Sequence, residues 1–98
     1  MPSYRLFETA VFIKDLSKLP LGAGLSLREK LMRTVYPSLK AQPYYGPNIK
    51  KLRDWHPETR RYRLGPWRIF YAVDEDSKVV YLLTLSLTRI LRWAVLTC

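Results

Sequence analysis

The residues able to do chemistry in this 98-residue chain crowd into one stretch, Lys50–Val73, KKLRDWHPETRRYRLGPWRIFYAV. Gly65-Pro66 separates two runs that alternate like strands, which predicts a hairpin closed by a two-residue loop. Such a loop sets Leu64 opposite Trp67, Arg63 opposite Arg68, Tyr62 opposite Ile69 and Arg61 opposite Phe70. Side-chain alternation puts Tyr62, Leu64, Trp67, Ile69, Tyr71 and Val73 on one face. Arg61, Arg63 and Arg68 share the other. Like charges directly across a strand pair are destabilising, so this spacing points to an anionic partner. Guanidinium groups on a rigid sheet bind phosphate oxygens with paired N–H donors and stabilise negative charge that develops there. They are poor proton acceptors, because arginine stays charged. Imidazole is the side chain suited to proton transfer near neutrality, which makes His56 a candidate acid or base. A lone loop histidine is more commonly structural or simply exposed. Lys50, Lys51 and Arg53 read as phosphate-tracking or partner-contacting rather than catalytic.

A sheet must carry this hairpin, and the flanking sequence supplies it. Tyr4–Glu8 is a short strand candidate. Thr9 can cap a helix whose stripe is Phe12, Leu16 and Leu19, and Pro20 ends it. Leu21-Gly22-Ala23-Gly24 reads as a turn, and Ser26-Leu27-Arg28-Glu29 as a capping box with Ser26 as N-cap. Leu27, Leu31 and Val35 form the next stripe, flanked by Met32, and Pro37 predicts an end or kink at Tyr36. The two helices make an amphipathic hairpin with an apolar seam and a basic outer face. Gln42–Asn48 is a loop in which Tyr44 and Tyr45 are expected to pack against the sheet, and Ile49–Arg53 is a further short strand.

Beyond Val73, Asp74–Ser77 is a polar turn and Lys78–Leu87 an apolar, β-prone run expected inside the sheet. A three-residue loop over 75–77 makes Asp74 and Lys78 an ion pair and sends Val79, Tyr81, Leu83 and Leu85 to the core. Val80, Leu82, Thr84 and Ser86 then join the arginines, with Thr84 opposite Arg68. A four-residue loop places Leu83 and Leu85 among the arginines instead, so the first register is preferred. Arg89–Cys98 suits either a short helix or a strand extension. The expected fold is α+β, in the order βααβββ: an antiparallel sheet with an N-terminal helical hairpin on one face and a basic exposed face.

Composition narrows the function classes. Residues 1–98 suffice for a single domain with one core. Seventeen cations against eight acids leave a net charge of +9, which suits nucleic acid or an acidic protein partner. The cations sit on strands and loops rather than on one basic amphipathic helix, which disfavours a membrane surface. One cysteine, Cys98, and one histidine give no disulfide and no zinc-ligand spacing. The N-terminus lacks a signal-peptide pattern, and the longest uncharged run, Val79–Thr88, is ten residues, too short for a membrane helix. A cytoplasmic protein without metal or cofactor is expected.

FETAVFIKDLSKLP, PYYGPNIKKL and RYRLGPWRIFYAVDEDSKVVYLL together resemble the RelE/ParE toxin superfamily of bacterial type II toxin–antitoxin systems. The likeness runs from about Tyr4 to Arg89, and the hairpin pattern R-Y-R-L-G-x-(W/Y)-R-x-x-Y is its most specific part. The resemblance implies a RelE-like fold and a ribosome-dependent, metal-independent messenger-RNA endonuclease that inhibits translation. In it the RNA 2′-hydroxyl attacks the adjacent phosphate. By motif position Arg61 and Arg63 correspond to two strand cations, Arg68 to the arginine after the turn, and Arg89 to the basic residue ending the last strand. Lys50, Lys51, Arg53, Arg92 and Trp93 fall to RNA or ribosome binding. The implied partners are the ribosome, its mRNA and a cognate acidic antitoxin in a hetero-oligomer. Family nucleases commonly carry a tyrosine or histidine shortly beyond the last arginine. Val95 stands near that position here, and Trp93 can stack on a base but cannot relay a proton. Two alternatives follow: a ParE-like DNA gyrase inhibitor, and a catalytically degenerate ribosome- or RNA-binding module.

Overall fold

The computed structural model describes residues 3–87. In chain order these form β1 (Arg5–Glu8), α1 (Ala10–Ser17), α2 (Leu21–Lys30), a π-helical turn (Leu31–Val35) and α3 (Tyr36–Ala41), followed by β2 (Ile49–Lys51), β3 (Arg60–Leu64), β4 (Trp67–Asp74) and β5 (Val79–Leu87). The strands make one five-stranded sheet in the order β1-β5-β4-β3-β2. The α+β architecture is as expected, and each of the five strands coincides with a strand expected from the sequence, one more than the order βααβββ counts. One pairing is parallel: β1 lies along β5, with Arg5 opposite Val79 and Glu8 opposite Leu82. Parallel strands cannot be joined by a tight turn, and here the whole of residues 9–78 lies between them.

The core forms where the helices meet one sheet face. Phe12, Leu16, Leu27, Leu31, Val35 and Leu39 pack there with Tyr62, Ile69, Tyr71, Val80 and Leu82, all buried. Tyr62 and Tyr71 are core residues as their alternation predicts, and Tyr71 satisfies its hydroxyl by donating to the Pro43 carbonyl at 2.6 Å.

Thr9 caps α1 as expected, accepting from the Phe12 N–H at 3.3 Å, and its hydroxyl also donates to the Leu82 carbonyl at 2.7 Å. The next expectation fails. Leu21–Gly24 is not a turn but the opening of α2, for which Pro20 is the N-cap residue, and the Gly24 N–H reaches the Pro20 carbonyl at 2.8 Å. Ser26 is therefore inside the helix and caps nothing. Burial of Leu27, Leu31, Val35 and Leu39 along one face outweighs the roughly 1 kcal/mol cost of each interior glycine. Pro37 does not stop the helix either. It has no N–H to offer the carbonyl four residues back, and the π-helical turn immediately before it shifts the hydrogen-bond register. Pro37 then falls in the first turn of α3, where proline is tolerated. The outer side of the helices is less basic than expected, since Val11, Leu21, Leu25 and Met32 are exposed there. Tyr45 is exposed too, while Tyr44 is half-buried against the core.

The β4–β5 register differs from the expected one. Four residues, not three, connect the strands, and Asp74 faces Val79. Lys78 adopts a positive φ of 57° and pairs with Glu75 rather than Asp74. Val80 and Leu82 thus enter the core, while Tyr81 leaves it to lie against exposed Phe7, ring centroids 5.7 Å apart. An irregularity between Phe70 and Tyr71 then shifts the pairing by one residue, so that Leu85 returns to the core and Thr84 comes opposite Phe70 instead of Arg68. A single bulge thus keeps Leu85 and Leu87 of β5 off the arginine face.

Beyond the end of β1, the exposed edge of β5 is closed by α1. Asp15 accepts from the Leu85 N–H at 3.3 Å and from the Thr84 hydroxyl. Among the described residues no helix is long and apolar enough to cross a membrane.

Candidate functional site

The hairpin has the register its turn predicts: Arg61 faces Phe70, Tyr62 faces Ile69, Arg63 faces Arg68 and Leu64 faces Trp67. Gly65 makes this possible with φ +58°, a conformation that costs other residues a steric clash. The sheet face that carries Arg61, Arg63 and Arg68 is the one the helices do not cover. The ladders extend the cluster sideways. Lys50 on β2 faces Arg61, and Ser86 on β5 faces Arg68. Two adjacent rows result, Lys50–Arg61–Phe70–Thr84 and Arg63–Arg68–Ser86.

The electrostatics of this face are uncompensated. Among the described residues no carboxylate lies within ion-pair distance of Lys50, Arg61, Arg63 or Arg68. Arg61 is half-buried, and its Nε has no hydrogen-bond partner; neither has the buried Oγ of Ser86 one row away. Burial and the nearby charges of Arg68 and Arg63 all push the Arg61 pKa below its ordinary value. The site holds positive charge against its own repulsion.

Not every expected residue belongs here. Lys51 faces Arg60 on the other side of β2, 3.7 Å from Glu58. Arg60, buried on the core side, bonds Glu58 at 2.8 Å and lies over the Tyr44 ring, 4.8 Å from its centroid. Arg60 and Lys51 hold Glu58 below its usual range and make that corner structural. The strand expected over Ile49–Arg53 ends at Lys51, and Arg53 is exposed in the turn beyond it. His56 is exposed in the same connection, and no hydrogen bond among the described residues holds its ring. Arg89, Arg92 and Trp93 lie outside the described residues.

One feature of the face is absent from the expected site. Trp55, in the connection before β3, stacks on Phe70 with centroids 5.7 Å apart and planes 17° from parallel. Alternation along β4 places Phe70 among the arginines. A loop tryptophan has no periodicity from which its contact could be read.

A family model described as the ParE toxin of type II toxin–antitoxin systems, parDE, matches residues 9–90. No curated protein sequence matches the chain significantly. Among solved structures, the RelBE2 toxin–antitoxin complex from Mycobacterium tuberculosis is similar at 25% identity with TM-score 0.68, over 87% of this chain and 98% of that one. The metal-bound toxin from Helicobacter pylori is similar at 20% identity with TM-score 0.67, over 90% and 98%. The intact E. coli RelBE complex is similar at 23% identity with TM-score 0.62, over 86% and 95%. The last two likenesses are of fold. With its helical layer on one sheet face, its basic face on the other, and a family match over residues 9–90, the chain belongs to the ParE toxin family of type II toxin–antitoxin systems, within the RelE/ParE superfamily.

Proposed function

We propose that this toxin is a ribosome-dependent messenger-RNA endonuclease in which Arg61, Arg63 and Arg68 stabilise charge on the scissile phosphate. The observation that carries the reading is the cluster of Lys50, Arg61, Arg63 and Arg68 on one open face, with no carboxylate in ion-pair reach among the described residues.

The reaction is a transesterification. The RNA 2′-hydroxyl gives up its proton as its oxygen bonds the adjacent phosphorus. The bond from phosphorus to the 5′-oxygen breaks, and that oxygen takes up a proton. The products are a 2′,3′-cyclic phosphate and a 5′-hydroxyl. Negative charge gathers on the phosphoryl oxygens midway, and preorganised guanidinium groups are worth most at that moment. Arg89 belongs to the cationic set in this reading, and Arg92 and Trp93 serve binding. Even with its pKa lowered, Arg61 remains a charge stabiliser rather than a base. His56, exposed in the loop, is the one imidazole available for proton transfer.

A +9 chain with an unanswered basic face suits an acidic antitoxin that covers this face and the helices. The similar RelBE2 and RelBE structures are toxin–antitoxin complexes. Such a pair would act in the cytoplasm. Cleavage of messenger on purified programmed ribosomes tests the reading; an intact messenger at saturating toxin contradicts it. The matched family model, that of ParE toxins, favours a second reading, inhibition of DNA gyrase. A supercoiling assay separates the two, because only the second predicts loss of gyrase activity.

A further inference from the structure

We propose that Trp55 and Phe70 form a base-stacking subsite, which receives the base of a nucleotide beside the phosphate held by the arginines. The proposal rests on the ribonuclease reading and names how that site holds its substrate. Phe70 sits directly opposite Arg61 in the β3–β4 ladder, and Arg68 is two residues away on the same strand face. Residues opposed in this way lie about 5 Å apart at Cα, a spacing that lets one nucleotide place its phosphate on a guanidinium and its base on the neighbouring ring. Trp55 covers Phe70 from the loop, nearly parallel to it, yet remains 47% exposed. One face of the indole is thus spent on Phe70, and the side chain also lines an open groove with Arg53, Asp54, His56 and Glu58.

The surroundings favour single-stranded RNA as the occupant. Lys50, Arg61 and Arg68 flank the stack. Glu58, in the same loop, is turned away to Arg60 and Lys51. A flat π surface edged by unpaired cations is how proteins hold unstacked bases.

The test is binding of a single-stranded oligoadenylate carrying one 2-aminopurine to the full-length protein over a range of salt. Wild-type protein and Trp55→Phe are expected to quench the 2-aminopurine as the base stacks. Trp55→Leu keeps an apolar cover on Phe70 but has no π face. It is expected to weaken binding by about 5- to 150-fold and to relieve the quenching, with the salt slope unchanged. Arg68→Ala is expected to make the slope shallower by about 0.7 per lost phosphate contact. Trp55→Leu binding and quenching like wild type overturns the proposal alone. Loss of antitoxin binding by Trp55→Leu, with oligoadenylate binding intact, also overturns it and assigns the stack to the protein partner. Wild-type protein that shows no salt-sensitive RNA binding overturns the proposal, and cleavage on programmed ribosomes then judges the reading beneath it separately.

Discussion

Arg63 and Arg68 face each other across the β3–β4 hairpin, and no carboxylate among the described residues answers either one. Directly opposed like charges cost a sheet about 0.2–1 kcal/mol. The fold retains them on its open face, where a bound polyanion would relieve the repulsion. Arg63→Thr should therefore stabilise the free toxin by about 0.2–1 kcal/mol while weakening its action. Urea unfolding and growth arrest on expression check the two halves. Loss of stability together with full toxicity would assign Arg63 a purely structural role.

A second prediction concerns the edge of β5. Asp15 takes the place of a neighbouring strand for Leu85 and Thr84. Asp15→Ala leaves the Leu85 N–H and the Thr84 hydroxyl without that acceptor and should cost about 1–3 kcal/mol. Hydrogen exchange should show the loss as faster exchange at Leu85, with the β3–β4 hairpin less affected.

The hairpin was legible in the sequence because two independent signals agreed on it. The Gly65-Pro66 turn set the loop length, and strict alternation set the faces. Elsewhere a local signal competed with tertiary packing and lost. Ser26 and Glu29 have the spacing of a capping box, yet α2 begins at Leu21 with Pro20 as its N-cap residue, five residues before Ser26's own position could cap anything. The β5 register depended on loop length, and the positive φ of Lys78 and the irregularity at Phe70 and Tyr71 are both invisible to a period-two pattern. For the candidate site, the arginines and Lys50 were readable from strand position. Lys51 was grouped with Lys50, although adjacent strand residues point to opposite faces. Trp55 could not be placed, since a loop side chain has no period.

A third prediction follows from Glu75. Its carboxylate accepts from the Tyr4 hydroxyl at 2.7 Å, from the Tyr44 hydroxyl at 2.7 Å and from Lys78. The Lys78 ammonium, then the Tyr44 and Tyr4 hydroxyls, lower its pKa to about 2 from an ordinary 4.5. A carboxylate whose pKa is depressed by folding contributes stability above its unfolded pKa and loses it as pH falls through the folded value. This contribution should be fully present above about pH 4.5 and should disappear toward pH 2. Thermal unfolding of Glu75→Gln across that window should be flatter with pH than that of wild type. Parallel curves would show that the network does not contribute.

On the endonuclease reading, the arginines of the open sheet face drive the reaction by stabilising charge on the phosphate. The most direct measurement is the single-turnover cleavage rate on programmed ribosomes for wild type, Arg61→Ala and Arg68→Ala, with the RNA ends identified. Wild type should leave 2′,3′-cyclic phosphate and 5′-hydroxyl ends, and each variant should cleave about 10²–10³-fold more slowly at saturating ribosome. Equal rates for the three proteins, or no cleavage by wild type, would contradict that reading.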